Sequence, residues 1–398
     1  MGIQVDCGVS THTIRLLTTQ VIGIARGRVN TRHAAKSAEV GLAAGRCDVT
    51  LRDARTGTKG SPMLRLATLF VALVLAGAPA GTALAACEGR DMLADMTPDA
   101  RTELEAATDA IPYPRGNFWR ATRKTAERTE EITLVGTYHL DDPRHVALMK
   151  TLGPLIAAVT IVLVEAGPLD QKALQDHIAR DPSIMLITEG PSLLEQMPAA
   201  DWRLLTDALA KRGVPSIMAA RMRPWYVNLM LAIPTCAPQA ATQEMGLDGM
   251  VMARATEAGV PVASLERYDT VLGLFDQIPA ADQISMIRTT LSMDDRAQDY
   301  STTMANAYFA GESRLLWEMV RQEAYKLPGN TKAMVDAEFA RMEVILMDAR
   351  NQAWIPVMEA AAAKGPVLAA FGALHLPGDE GVLALLERRG FTISPLEF

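Results

Sequence analysis

Four cysteines in 398 residues are too few for a disulfide scaffold, and no two of them form a Cys-x-x-Cys pair. The sequence also contains no His-Glu-x-x-His, no Gly-x-Ser-x-Gly, no Gly-x-x-x-x-Gly-Lys-Ser/Thr and no Gly-x-Gly-x-x-Gly after a strand. These absences disfavour a thermolysin-like zinc protease, a serine hydrolase, a P-loop NTPase, a dinucleotide enzyme and a thioredoxin-like oxidoreductase. Positive charge is not in excess: 39 Lys+Arg face 46 Asp+Glu, a net charge of −7, so the basic footprint of a general nucleic-acid binder is missing. No collagen-like or Gln/Asn-rich tract occurs, and 49 % apolar residues exclude wholesale disorder.

What is present begins with an export signal in an unexpected place. Residues 63–87 read MLRLATLFVALVLAGAPAGTALAAC. Arg65, an apolar run from Leu66 to Ala78 and the small-residue sequence Ala83-Leu84-Ala85 follow the order of a secretory signal peptide. The run is shorter than the roughly 20 apolar residues of a membrane span, and Pro79 and Gly81 interrupt it. The 62 residues before Met63 carry nine basic and four acidic groups with little hydrophobic periodicity, and are expected to be a disordered or non-native leader. Removing residues 1–86, with ten basic and four acidic groups, deepens the net charge from −7 to −13. The expected working protein is therefore exported, to a periplasmic or outer-envelope location.

Two cysteines remain after that cut, Cys87 and Cys236. A disulfide between them suits an oxidising compartment and would contribute about 4–5 kcal/mol by chain entropy. Leu84-Ala85-Ala86-Cys87 equally resembles a lipobox, which would tether the protein to a membrane through a lipid on Cys87.

Residues 87–398 read as one domain of mixed α/β class, a central mixed sheet flanked by helices. Continuous apolar runs at Ile132–Val135, Val159–Val164 and Pro366–Phe371 predict strands buried on both faces. Val214–Met218 and Pro261–Leu265 are shorter strand candidates. Helical periodicity covers Gly246–Gly259 and nearly all of an insertion at about 278–364, where Val335, Phe339, Met342, Leu346 and Ala349 make one stripe.

The most informative feature is an internal echo. ITLVGTYHLDDPRHVALMKTLG and VLAAFGALHLPGDEGVLALLERRG share a plan of apolar strand, Gly, two residues, His-Leu, an acidic Pro-containing turn and an amphipathic helix. Gly136 and Gly372 would let the backbone turn sharply or approach a ligand just before each His. His139 and His375 would then project from strand ends into one crevice, where α/β sheets collect ligands. Glu165 ends a third strand at the same side. Two imidazoles and a carboxylate are a common set for a divalent metal such as zinc, which acidifies bound water or polarises a carbonyl.

GTYHL, IVLVE, RPWY, GLDGMVMARA, RNQAW and FGALHLPGDEGVLALLERRGF together resemble the TraB/GumN family, relatives of the Tiki proteases and PrgY, from about Pro112 to Leu396. The resemblance implies a fold similar to the erythromycin-esterase and ChaN-like proteins and a metal-dependent peptidase, with manganese or cobalt as the metal. Carried onto this chain, it makes His139, Glu165 and His375 the metal trio. Arg350 and Asn351 become site-lining residues, Arg350 orienting a carboxylate or stabilising an oxyanion. Glu266, at the end of the Pro261–Leu265 strand, is a reserve acidic ligand. Asp248 either caps its helix or faces the site. His145 is a weaker ligand candidate, and Arg221, Arg223, Trp225 and Tyr226 read as packing under a loop. The expected function is an exported metallohydrolase acting on a peptide or other small substrate; the alternatives are a non-catalytic binder of haem, a peptide or a polysaccharide intermediate, and a pseudoenzyme.

Overall fold

The computed structural model describes residues 3–6, 33–42, 45–54, 88–236, 246–327 and 329–396. It contains two compact units, Met1–Thr82 and Ala83–Phe398. In the first, Ile3–Asp6, His33–Leu42 and Gly45–Ala54 pair as an antiparallel ladder. The expected signal segment 63–86 and Cys87 lie outside the described residues. Among the described residues no helix is long and apolar enough to cross a membrane.

The second unit is built on six strands: β1 (Phe118–Lys124), β2 (Thr129–Thr137), β3 (Ile161–Val164), β4 (Val262–Ser264), β5 (Val367–Gly372) and β6 (Thr392–Pro395). Their order is β4-β3-β5-β2-β1-β6. β4, β3, β5 and β2 run parallel, whereas β1 is antiparallel to both β2 and β6. The sheet is therefore mixed, as expected.

Every residue of β5 is buried, and successive side chains serve opposite faces. Val367, Ala369 and Phe371 join a cluster with Ile132, Leu134 and Leu163, covered by Trp354, Ile355 and Met358 of one helix and Val382 and Leu386 of another. Leu368 and Ala370 join the opposite cluster with Val135, Val162 and Val164, covered by Leu152, Ile156, Leu247 and Val251. A sheet buried on both faces needs apolar residues at every position, which is why these strands lack polar alternation.

The covering helices are α1 (Pro98–Asp109), α2 (His145–Ala158), α3 (Pro168–Arg180), α4 (Ala199–Ala210), α5 (Pro224–Ala232), α6 (Leu247–Glu257), α7 (Ala280–Ser292), α8 (Ala297–Phe309), α9 (Ser313–Tyr325), α10 (Lys332–Glu343), α11 (Ala349–Ala362) and α12 (Val382–Arg388). α4, α5 and α7 share their own core through Leu205, Leu209, Val227, Leu231 and Ile287. A fourth cluster joins Leu104 of α1 to Ala307, Leu315 and Met319 of α8 and α9.

Two expectations are corrected. Val214–Met218 is not a strand: Ser216–Ala219 forms one helical turn behind Pro215. Pro215 offers no N–H to a ladder, and Ile217 and Met218 are exposed, so the segment has no sheet to enter. The stripe ending at Leu346 and Ala349 is also broken. Val344–Asp348 is a π-helical turn between α10 and α11, and its extra residue rotates the following face by about 100°. Met347 and Arg350 turn inward instead, and Ala349 is exposed. Trp225 packs as expected, stacked on Phe275 at 4.9 Å with its indole N–H on the Ile184 carbonyl. Of the expected Cys87–Cys236 pair, only Cys236 lies among the described residues.

Candidate active site

The two Gly-x-x-His segments lie side by side. β2 and β5 are neighbours in parallel register, with Gly136 opposite Phe371 and Thr137 opposite Gly372. β3 flanks β5 on its other side, so Glu165 emerges from the same end of the sheet. His139, Glu165, Arg350 and His375 all line one cavity of about 520 Å³.

His139 follows β2 and is seated by the start of α6. A Cβ at Gly246 would fall 2.2 Å from the His139 carbonyl oxygen, so only glycine allows this approach. The approach places Asp248, in the first turn of α6, with Oδ2 at 2.7 Å from His139 Nδ1 and Oδ1 accepting from Thr137 Oγ1 at 2.6 Å. Asp248 thus belongs to the site. The His139 ring is 63 % accessible although protein surrounds the cavity it faces. Enclosure opposes its charge, but the hydrogen bond and charge of Asp248, together with Glu165, raise its pKa to about 9.

His375 ends a short 3-10 turn, Ala373–His375, after β5 and is buried. Its ring packs on Trp354 with centroids 4.5 Å apart. Nδ1 donates to Asn351 Oδ1 at 2.7 Å, while the Asn351 amide N–H donates to the Glu380 carbonyl at 2.9 Å. Burial, with the positive charges of Arg350 and His139, lowers the His375 pKa to about 4 despite Glu165. Burial would raise the Glu165 pKa, but His375, Arg350, His139 and the Gly372 N–H outweigh it and hold the carboxyl at about 2.

Arg350 has five N–H donors, and the protein uses all of them. Nε donates to Glu266 Oε2 at 2.8 Å and Nη2 to Glu266 Oε1 at 2.7 Å and Glu165 Oε2 at 2.6 Å. Nη1 donates to the Leu346 carbonyl at 3.0 Å and to His375 Nε2 at 3.2 Å. Of its two expected roles, it orients carboxylates, those of Glu165 and Glu266, and positions His375; no donor is left for an oxyanion while Nη1 contacts His375 Nε2. Glu266 is the buried counter-ion of Arg350, and also accepts from the Trp354 indole at 3.0 Å.

Neither motif glycine has a positive φ, so of their two expected roles it is close approach that they serve. Gly136 admits the neighbouring motif: a Cβ there would lie 2.7 Å from Leu376 Cδ1. Gly372 faces the site, its N–H donating to Glu165 Oε1 at 2.7 Å. A Cβ on Gly372 would stand 3.1 Å from His139 Nε2 and 3.4 Å from Glu165 Oε1.

These donors fit a divalent cation in kind. A carboxylate claims one Nδ1 and a side-chain amide oxygen the other, the outer support typical of metal-bound imidazoles, so both Nε2 atoms lie on the Glu165 side. Glycine at 372 keeps the space between His139 Nε2 and Glu165 Oε1 open. His375 Nε2 and Glu165 Oε1 are 3.9 Å apart, against about 3–3.4 Å for two ligands on ~2.1 Å bonds. As the side chains stand, no three His, Cys, Asp or Glu among the described residues are gathered tightly enough to hold an ion. The Arg350 N–H on His375 Nε2 is the competitor for that position.

The family model described as TraB/PrgY/gumN family matches residues 117–395. The chain belongs to this family. No curated protein matches it. Within the matched span lie both Gly-x-x-His segments, Glu165, Asp248, Glu266, Arg350 and Asn351.

Sequence reasoning missed Thr137, Gly246 and Trp354 as parts of the site. Gly246, two residues before Asp248, carried the only usable signal for the first two. His145 lies apart from the site: it is fully buried against Tyr138, Tyr308 and Phe309, and neither ring nitrogen has a partner among the described residues.

Proposed function

We propose that the chain is an exported hydrolase of peptide-type carbonyl compounds, with a divalent cation such as manganese, cobalt or zinc held by His139, Glu165 and His375. The observation that carries this reading is the pair of imidazoles whose Nδ1 atoms are both committed to oxygen acceptors beside one ionised carboxylate. Export rests on the segment 63–86 alone.

A bound cation would polarise the substrate carbonyl or acidify a water molecule. The chain's own residues do the rest. Asp248 and Asn351 keep protons on the two Nδ1 atoms and so fix both rings. Arg350 and the Gly372 N–H hold Glu165 as an anion. The helices above the sheet end wall one side of the cavity, which is open enough to leave the His139 ring 63 % accessible.

Elemental analysis, calorimetric titration with each metal and a peptide-hydrolysis assay on the wild type, His139→Ala and His375→Ala test the reading. Both variants should lose metal and activity together. Unchanged metal content in both would sink the proposal.

A second reading, a non-catalytic binder of haem, a peptide or a polysaccharide intermediate, draws on the apolar upper wall of the same cavity. A Soret band after reconstitution with haem, with no divalent ion retained, would favour it.

A further inference from the structure

The cavity is divided by polarity. Its floor, at the sheet end, carries His139, Glu165, His375 and the Gly372 backbone. Its opposite wall is supplied by α8, α9 and the π turn: Met304, Tyr308, Leu316, Trp317, Val320 and Met347. That wall has no charged side chain; its polar groups are the Ser313 and Tyr308 hydroxyls and the Trp317 indole N–H, which has no partner among the described residues and can donate to a substrate carbonyl. The Tyr308 hydroxyl is already spent on the Gly136 carbonyl at 2.9 Å. Arg350, the one guanidinium lining the cavity, gives every N–H to a protein acceptor, and a cation on His375 Nε2 would release only one of them, at the floor and not at the wall. Met304 is 41 % exposed, continuing the apolar surface outward.

We infer that the site takes an uncharged substrate whose aliphatic or aromatic group, adjoining the carbonyl to be cleaved, lies against the α8–α9 wall. This deepens the hydrolase reading and rests on it for the word substrate; the binding preference stands on the wall itself. A charged group there would lose its hydration with no counter-ion to replace it. An apolar group gains about fourfold in affinity per methylene, from about 0.8 kcal/mol of transfer free energy each. At about 520 Å³ the space lies within the roughly 300–1,000 Å³ of small-molecule sites.

The test separates binding from chemistry. The uncharged fluorophore N-phenyl-1-naphthylamine is bound to the full chain and displaced by N-acyl-glycinamides from acetyl to octanoyl. The same is done with octanoyl analogues ending in a carboxylate or an amine. Affinity should rise about fourfold per methylene over at least three steps, and the charged analogues should bind at least tenfold more weakly. Leu316→Gln should lose about tenfold in octanoyl affinity and Met304→Gln, at the rim, a few-fold. Leu204→Gln, exposed on α4, should bind as the wild type does. Met304→Gln keeps the test valid if Leu316→Gln does not fold.

A flat series, charged analogues binding as well as neutral ones, or no fluorophore binding would overturn the inference. Hydrolysis of the matching octanoyl-glycine 4-nitroanilide is followed in parallel. Binding with the expected selectivity but no hydrolysis, at any added metal, supports this inference and counts against the proposed function.

Discussion

Glu266→Gln is the sharpest probe of how the site is held. Glu266 is buried and accepts three hydrogen bonds, at 2.8 and 2.7 Å from Arg350 and 3.0 Å from Trp354. Glutamine has the same shape, but its amide nitrogen must face a guanidinium or indole N–H, setting two donors against each other. At least one charge-assisted bond is lost, at about 1.5–3 kcal/mol, and the buried Arg350 loses half its negative partners. Breaking a buried pair outright costs about 3–5 kcal/mol. Glu165 remains at 2.6 Å, so the lower end applies, about 3 kcal/mol. Urea denaturation should show that loss with an unchanged m-value, and the melting temperature should fall by roughly 6–12 °C. A loss below about 1 kcal/mol would refute the view that the Glu266–Arg350–Glu165 chain is a tightly coupled buried unit.

Other outcomes follow from the same geometry. Gly246→Ala should destroy the His139–Asp248 contact, because its Cβ would overlap the His139 carbonyl; a melting temperature and hydrolysis rate both within error of the wild type would contradict this. His145→Leu removes two unpartnered buried nitrogens, so stability should rise by about 1–2 kcal/mol in urea titration rather than fall. In EDTA, stability should fall on both sides of neutrality. The lowered pKa values of His375 (about 4) and Glu165 (about 2) give losses as the pH drops from about 6.5 towards 4 and from about 4.5 towards 2. The raised pKa of His139, about 9, gives a loss as the pH climbs from about 6.5 to 9. Melting temperatures at pH 5, 7 and 9 that do not peak near neutrality would contradict these assignments.

How legible the site was depended on burial. β2, β3 and β5 were readable because strands covered on both faces must be apolar throughout, and their ends then located His139, Glu165 and His375. β1 was not, because only Trp119 and Ala121 are buried while Arg120, Arg123 and Lys124 reach the surface. Asp248 could be seen at a helix start, but its partner could not, since contact with His139 depends on the close approach at Gly246. The burial of Arg350 was hidden by the π turn: a uniform helical period puts Ala349 on the inner stripe, and one added residue gives that place to a charge. Nothing local distinguishes an arginine that will be surrounded by carboxylates from one that will be solvated.

The position of β5 has a consequence for the order of assembly. It is the fifth of the six strands of this unit in chain order, yet lies between β3 and β2, at the centre of the sheet. Until residues 367–372 have been made, β1–β2 and β3–β4 are two separate ribbons, each with an unsatisfied inner edge. β5 joins the halves, brings His375 and the Gly372 N–H to Glu165, and gives Trp354 and Arg350 a surface to close on. A chain cut short by even its final thirty-odd residues therefore lacks a site and exposes two strand edges, a form open to aggregation and proteolysis. Formation of the proposed site is in this way coupled to closure of the sheet around β5.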